Sequence, residues 1–347
     1  MIINTLNVGV VGAGRMGLTH HSIMNTLPGV KVTAVADPSG AVTSLLEKYA
    51  GVRAYKDHRE MIEREQLAAI LLCTPPAHNY EILRHTLERG LHVFVEKPFL
   101  LSSAQAGEMA RLYDERKLVN QVGYVNRFND VFTRARQLAR DGLLGKVLRF
   151  RSEMFSGTIV REQEQSNWRA THVNGGGAVY EMASHAIDLI NYLFGTPDRV
   201  EGTSLTRVFS RDVEDIVSSC LFFRSGLAGT LYVNWSDESY RKPTNKLEIF
   251  GDRGKILADQ HGMKVFVREA SPAHGFTAGW NDVYITDVFS NVPFYLRGIE
   301  FTAQLDDFVR CIRSGEPPRC SFADAAATIR VVEQLFSNHT AITGGLN

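Results

Sequence analysis

A strand, a glycine-rich turn and a helix open the chain, and they constrain its fold more than any other feature. Apolar residues 6–11 predict a buried strand, and the sequence GAGRMG after it leads into a helical pattern. The glycines fit G-x-G-x-x-G: Gly12 permits a tight turn, Gly14 lets a ligand approach the backbone, and Gly17 allows close packing of the helix on the strand. In this setting the motif predicts a helix N-terminus that binds the phosphates of a dinucleotide.

An acidic residue in the expected place extends the motif. Asp37 lies 20 residues after Gly17, at the end of the second predicted strand (residues 30–36). A carboxylate there accepts hydrogen bonds from ribose hydroxyls and repels a 2′-phosphate, which favours NAD over NADP. Residues 38–40 contain no Arg or Lys, although NADP stays possible. The alternative is a Rossmann-like domain that binds a different ligand.

Strands and helices alternate as far as Val122 and predict right-handed parallel βαβ units. We therefore expect an α/β protein with two domains. Residues 1–124 form a Rossmann domain with a doubly wound parallel sheet. Residues 125–347 form an α+β domain for substrate binding and oligomerisation, with a large, mostly antiparallel sheet. Residues 269–293 have weak periodicity and are predicted to be a long loop.

Bulk properties exclude several classes of protein. The chain has 347 residues, too many for one typical core. Its 38 basic and 38 acidic residues argue against nucleic-acid binding. No run approaches the roughly 18 apolar residues of a membrane span. Four cysteines without a CxxC pair, and a start without a leader, predict a reducing, cytoplasmic location.

Several further clusters together resemble the Gfo/Idh/MocA family (glucose-fructose oxidoreductase, inositol dehydrogenase and relatives), over nearly the whole chain. The resemblance rests on these segments: VEKP at 95–98, GGAVYEMASHAID at 176–188, TPPxH at 74–78, NRF at 126–128 and WR at 168–169. It implies an oxidoreductase that transfers hydride between a nicotinamide and a hydroxyl or keto carbon of a sugar, polyol or nucleotide sugar.

Three residues are the predicted catalytic groups. Lys97 follows a strand, where open α/β sheets bind ligands, and its ammonium can stabilise a developing alkoxide. His185 can accept the hydroxyl proton because imidazole titrates near neutrality. Glu181 lies four residues earlier on the same predicted helix, so the two would share a face. The plainer alternatives are a solvated lysine and a histidine that bonds a buried carbonyl.

Two departures from the family pattern concern this helix. The chain has Glu181 where the family usually has Asp, and Ala183 where it has Gly. The longer side chain displaces the carboxylate, which puts the role of Glu181 in doubt and could signal a different substrate class.

The resemblance also supplies the remaining site residues. The motif residues Gly12, Gly14 and Asp37 are expected to line the cofactor. The further residues expected there are Arg15, Met16, Thr74, Pro75, His78, Glu96, Lys97, Arg127, Trp168 and Arg169. Those expected to bind substrate are Lys97, Glu181, His185, Asn234, Trp235 and Tyr295. For Asn234, Trp235 and Tyr295, a core or surface role is the equal alternative. No metal site is expected, since no HExxH or tight His/Cys/Asp cluster is present. A homodimer or homotetramer, paired through the C-terminal sheet, is expected.

Two other functions stay open. Some relatives oxidise a sugar carbon transiently and retain NAD, so a redox-neutral, glycosidase-type enzyme is the first alternative. The second is a non-enzymatic dinucleotide sensor, against which the presence of both Lys97 and His185 argues.

Overall fold

The computed structural model describes residues 5–157 and 168–339 of the chain. Its contacts divide the chain into two compact units. The first unit comprises residues 1–125 together with 292–326, and the second comprises 126–291 together with 327–347. The predicted division into residues 1–124 and 125–347 does not include this return of the chain, since the first unit also contains residues 292–326.

The first unit contains the predicted doubly wound parallel sheet. Its strand order is β3-β2-β1-β4-β5-β6, and every pairing is parallel. The central strands β1 and β4 are buried because helices cover both faces, which explains their nearly unbroken apolar sequences. The strands are β1 Leu6–Val11, β2 Val30–Ala36, β3 Arg53–Tyr55, β4 Ala69–Leu72, β5 His92–Val95 and β6 Asn120–Val122.

Helices flank this sheet in two layers with separate apolar cores. One core joins α3, α4 and α5 to the sheet, and the other joins α1, α2 and α9. Side-chain caps begin two of these helices: Asp57 accepts from the Arg59 N–H, and Ser102 accepts from the Gln105 N–H. The helices are α1 Arg15–Thr26, α2 Gly40–Ala50, α3 His58–Arg64, α4 Asn79–Glu88, α5 Ser103–Glu115 and α9 Ile299–Ser314.

Helix α9 belongs to the first unit because its apolar face completes that core. Leu305 and Phe308 are fully buried in the same cluster as Ile23 and Met24 of α1. Such a contact joins residues almost 300 positions apart, and local sequence pattern does not reveal it.

The second unit contains an eight-stranded sheet in the order β14-β13-β12-β11-β7-β10-β9-β8. Among the strands that the structure describes in this sheet, only β7 and β10 pair in parallel, so the predicted mostly antiparallel sheet is confirmed. The strands are β7 Val147–Phe155, β8 Arg199–Thr206, β9 Ile216–Phe222, β10 Ala228–Asn234, β11 Thr244–Gly251, β12 Gly254–Asp259, β13 Gly262–Val267 and β14 Gly279–Tyr284.

The predicted loop at 269–293 was wrong in its middle part, where β14 and the short helix Ile285–Val288 lie. Strand β14 is at the sheet edge, and half-buried residues alternate along it with exposed ones. Trp280 and Tyr284 are among the exposed residues. An edge strand needs no continuous apolar face, which is why its pattern is weak.

Helices cover one face of this sheet. The apolar cluster there joins α6 and α7 to β11, β12 and β13. The helices are α6 Asp130–Arg140, α7 Ser184–Phe194, α8 Ile285–Val288 and α10 Phe322–Ser337, which begins in the first unit. Within residues 5–157 and 168–339, no helix is long and apolar enough to cross a membrane.

Candidate active site

The glycine turn forms a cradle at the start of α1. Gly12 has φ +90°, and a Cβ on Gly17 would collide with the Gly12 carbonyl, so these two glycines are explained by the turn itself. Gly14 differs, because a Cβ added there would meet nothing within 4 Å. Gly14 is also the N-cap of α1, and no side chain caps the helix. An open glycine beside unsatisfied helix N–H groups fits a ligand phosphate that must approach the backbone closely.

Asp37 is held against this cradle. Its carboxylate accepts hydrogen bonds from the Ala13 N–H at 2.7 Å and the Ser39 N–H at 2.9 Å. The carboxylate is thereby oriented at the carboxyl end of β2, where a ribose bound beside the glycine turn would meet it. The residues of the cradle fit NAD.

The segments after β4 and β5 lie at the same edge of the sheet, since parallel strands place their carboxyl ends together. Asn79 joins them. Its amide oxygen accepts from the Thr74 hydroxyl at 2.7 Å, and its amide nitrogen donates to the Phe99 carbonyl at 2.9 Å. Asn79 is fully buried, so it fixes the backbone two residues beyond Lys97. At this edge Arg15 and His78 are exposed, whereas Met16, Pro75 and Lys97 are half-buried.

His20 is a residue that the sequence analysis did not assign to the site. It lies on α1, is fully buried, and its Nε2 is 2.5 Å from Oε1 of Glu96. The ring of Phe94 meets the imidazole edge-on, with ring centroids 5.1 Å apart. His20 therefore orients the carboxylate that precedes Lys97. Its position three residues after Gly17, on the buried face of α1, was the available signal.

Glu181 and His185 lie on one helical segment of the second unit, as expected, but its geometry differs from the prediction. A π-helical turn spans Val179–Ala183, and the α-helix begins only at Ser184. Glu181 therefore lies in the π turn and His185 in the first turn of α7, so the α-helical i,i+4 rule does not describe their relation. Single π turns of this kind are frequent at functional sites.

Arg169 holds the Glu181 side chain. Its Nε lies 3.2 Å from Oε1 of Glu181, and its guanidinium lies over the Trp168 ring at 4.6 Å. The structure thus brings three predicted residues together within the second unit. The Glu181 carboxylate, whose role the sequence leaves open, is thus paired with Arg169 here.

Glu214 anchors the N-terminal end of this helical segment. Its Oε1 accepts from the Val179 N–H at 2.7 Å, and its carbonyl accepts from the Ala178 N–H at 3.0 Å. Gly177 makes room for it, since a Cβ there would collide with the carboxylate, and φ at Gly177 is +99°. Burial raises the pKa of Glu214 to about 7, although the Val179 N–H opposes the rise.

Arg127, predicted to line the cofactor, is in a buried ion pair. Two of its nitrogens donate to the two oxygens of Asp188, at 2.9 and 2.8 Å, and both side chains are almost completely buried. Asp188 is on α7, so this pair ties the helix that carries His185 to the segment Val125–Phe128. The Nε and Nη2 atoms of Arg127 therefore hold α7 in place.

The three additional substrate-binding candidates differ in environment. Trp235 is fully buried and its indole N–H donates to Asp215 at 2.6 Å, so it is a core residue and offers no surface to a substrate. Asn234 is half-buried and accepts from the Ser236 N–H. Tyr295 is 74% exposed and belongs to the first unit, before α9. A role for Asn234 or Tyr295 stays a prediction.

No group of three or more His, Cys, Asp or Glu side chains arranged to hold a metal ion occurs within the described ranges of the chain. None of the four cysteines is in a disulfide, and burial raises the pKa of Cys73 well above its usual range.

Two family models match the chain in series. Residues 6–124 match the model described as an oxidoreductase family with an NAD-binding Rossmann fold. Residues 132–257 match the GFO/IDH/MocA C-terminal domain.

Individual relatives extend the similarity over nearly the whole chain. The chain is 26% identical to myo-inositol 2-dehydrogenase of Thermotoga maritima over 339 residues, which cover 92% of each chain. It is 24% identical to scyllo-inositol 2-dehydrogenase (NAD(+)) of Bacillus subtilis, with 93% of this chain and 90% of the relative covered. A structure of levoglucosan dehydrogenase in complex with NADH superposes with a TM-score of 0.85 at 20% identity, covering 96% of both chains, and shows the same fold.

Proposed function

The chain belongs to the Gfo/Idh/MocA family of NAD-binding oxidoreductases, and on this premise we propose that it is a dehydrogenase that oxidises a secondary hydroxyl of a sugar or cyclic polyol. The observation that carries the proposal is the cradle at α1, where Gly14 faces open space beside uncapped helix N–H groups. Packing within the chain does not require a glycine there, whereas a bound dinucleotide does.

NAD is the proposed cofactor in preference to NADP. The Asp37 carboxylate is fixed by the Ala13 and Ser39 N–H groups, so it cannot easily turn away from a 2′-phosphate. A bound nicotinamide supplies the hydride acceptor. Binding, orientation and proton transfer are left to the residues of the chain.

Lys97 and His185 are the proposed catalytic pair. The Lys97 ammonium donates a hydrogen bond to the reacting oxygen and stabilises its negative charge as the C–H bond is cleaved. The His185 imidazole accepts the hydroxyl proton on a ring nitrogen and returns it in the reverse direction. Glu181, held by Arg169, is proposed to bind another hydroxyl of the substrate.

The proposed substrate class follows from the relatives. Two that align along nearly the whole chain are named inositol 2-dehydrogenases. Cyclic polyols carry many hydroxyls, which suits a site with a carboxylate, an ammonium and an imidazole.

A redox-neutral reaction is the second candidate, because one relative of similar sequence identity is named as a hydratase. The chain is 25% identical to 2,7-anhydro-N-acetylneuraminate hydratase of Mediterraneibacter gnavus, with 94% of each chain covered. Adding or removing water needs no net oxidation, so such an enzyme would retain its cofactor in one redox state overall.

A homodimer or homotetramer is proposed to form through the face of the eight-stranded sheet opposite its helices. Trp280, Tyr284 and Phe250 expose 54%, 63% and 43% of their surface on this face, which gives a second copy apolar area to cover. Light scattering tests this: a monomer at micromolar concentration would contradict it.

The experiment that tests the function is cofactor reduction by the purified protein. Inositols, aldoses, sugar acids, nucleotide sugars and glycosides are supplied with NAD or NADP. We expect NADH with one class, loss of most of the rate in Lys97→Met, and an unchanged rate in Lys31→Met, a matched control at an exposed position near the opposite end of β2. No reduced cofactor from any compound, with NAD released on denaturation, would favour the redox-neutral candidate.

A further inference from the structure

Arg297 reaches back to α1 from a segment distant in sequence. Its Nη1 donates to the Thr19 hydroxyl at 2.9 Å, and the Thr19 hydroxyl in turn donates to the Arg15 carbonyl at 2.9 Å. The Arg297 guanidinium also lies over the Phe301 ring at 5.2 Å. These contacts place a cation against the first turns of the helix that carries the glycine cradle.

The position of Arg297 is set by packed structure. Thr302 and Leu305 on α9 are fully buried, so the helix that follows Arg297 is fixed in the core of the first unit. The backbone at Arg297 has φ +60°, a conformation that costs a residue other than glycine about 1 kcal/mol or more. Gly298 follows with φ +121° and makes the turn into α9.

Arg15 and Glu96 are charged neighbours of Arg297 in the first unit. Burial lowers the pKa of Arg297, repulsion by Arg15 lowers it further, and Glu96 opposes the shift. The Glu96 carboxylate is already bonded to His20. The first turn of α1 contains no acidic residue, and its free N–H groups add the positive end of the helix dipole. Two arginines beside such a terminus are stabilised when an anion lies among them.

We propose that Arg297 is a further dinucleotide-binding residue, which donates hydrogen bonds to the pyrophosphate held at the N-terminal turn of α1. The planar guanidinium suits this because it presents several N–H groups to phosphate oxygens. This inference rests on the proposed function, since it presupposes a dinucleotide in the cradle. It makes the segment 292–298 part of the cofactor site, and Thr19 the residue that positions Arg297.

The test compares three ligands that differ in the groups they carry. Titration calorimetry on the full chain measures the affinities for NADH, ADP-ribose and adenosine; the first two ligands contain the pyrophosphate and the third does not. Arg297→Gln is expected to weaken the binding of NADH and of ADP-ribose by about tenfold to a hundredfold, the usual value of a hydrogen bond to a charged group. The affinity for adenosine should be unchanged. Thr19→Val is expected to cause a smaller loss for the same two ligands.

The control is Lys31→Gln, which removes the same charge from an exposed position near the amino end of β2 and should leave all three affinities unchanged. Arg297→Lys, which keeps the charge, is the second variant if the glutamine variant does not fold, and it should bind NADH less tightly than the wild type. NADH and ADP-ribose affinities within twofold of wild type in the Arg297 variant would overturn the inference. An equal loss for adenosine would also overturn it, by showing a purely structural role. Failure of the wild-type protein to bind NADH or NADPH would instead refute the proposed function, and this inference with it.

Discussion

The charge of Asp37 is predicted to set the choice between NAD and NADP, and Asp37→Asn isolates that charge. The substitution keeps the size of the side chain and one amide oxygen as an acceptor for the Ala13 or Ser39 N–H. It removes the negative charge that a 2′-phosphate would meet at the end of β2.

The size of the effect can be worked out from two contributions. Two unit charges 4 Å apart repel by about 1 kcal/mol in bulk water and about 4 kcal/mol near a protein surface. Asp37 is half-buried, so we take the repulsion between its carboxylate and a 2′-phosphate as about 2 kcal/mol. Removing this repulsion should tighten the binding of NADPH about 30-fold. For NADH, replacing a charged acceptor by a neutral one costs about 1.4 kcal/mol, or about tenfold. The NADH-to-NADPH affinity ratio should therefore fall about 300-fold.

Fluorescence titration with NADH and NADPH measures both affinities without a substrate. Asp57→Asn is the matched control, since Asp57 also accepts a backbone N–H, at the start of α3, and contributes the same charge elsewhere in the first unit. The control should leave the ratio unchanged. The reasoning is refuted if wild-type protein binds NADPH as tightly as NADH, or if Asp37→Asn changes the ratio by less than threefold.

Three further predictions concern the supports of the candidate site. Asp188→Ala removes the carboxylate that pairs with the buried Arg127 guanidinium and should cost about 3–5 kcal/mol of unfolding free energy in urea titrations; an unchanged midpoint would contradict this. Burial raises the folded-state pKa of Glu214 from 4.5 to about 7. Its protonated side chain therefore contributes fully to the free energy of unfolding below about pH 4.5. This contribution, about 3 kcal/mol in all, is lost as pH rises through 7. Glu214→Gln should remove this decline from a series of unfolding curves between pH 4.5 and 8.5, and an unaltered slope would count against the assignment. Asn79→Ala removes the donor to the Phe99 carbonyl and should lower kcat about tenfold, because it loosens the loop that carries Lys97; steady-state kinetics that match the wild type would exclude this role.

The Rossmann part of the fold was predictable because its signals are local. Strand, glycine turn, helix and acid follow one another within the first 37 residues, and each has a physical reason for its position. The second sheet was predictable in kind, but β12 and β14 were not identified. They are short, and their half-buried residues alternate with buried or exposed ones, so neither has a strong pattern.

The site was harder to predict where residues far apart in the chain meet. Arg127 and Asp188 are 61 positions apart, and their ion pair supports α7 in a way that local sequence does not reveal. Arg297 reaches Thr19 from 278 positions away. For Trp235 the sequence leaves a substrate role and a core role open, because local sequence does not distinguish a buried aromatic residue from one that lines a pocket; in the structure it is fully buried.

In the proposed reaction, a C–H hydrogen of the substrate leaves as hydride to a bound nicotinamide, and deuterium transfer from substrate to cofactor measures that step. The most active polyol from the panel, deuterated at the carbon that is oxidised, is incubated with the protein and NAD, and the mass of the reduced cofactor is measured by mass spectrometry. We expect reduced cofactor one mass unit heavier than NADH, formed much more slowly by Lys97→Met. Product without any reduced cofactor, or reduced cofactor that carries no deuterium, would contradict it.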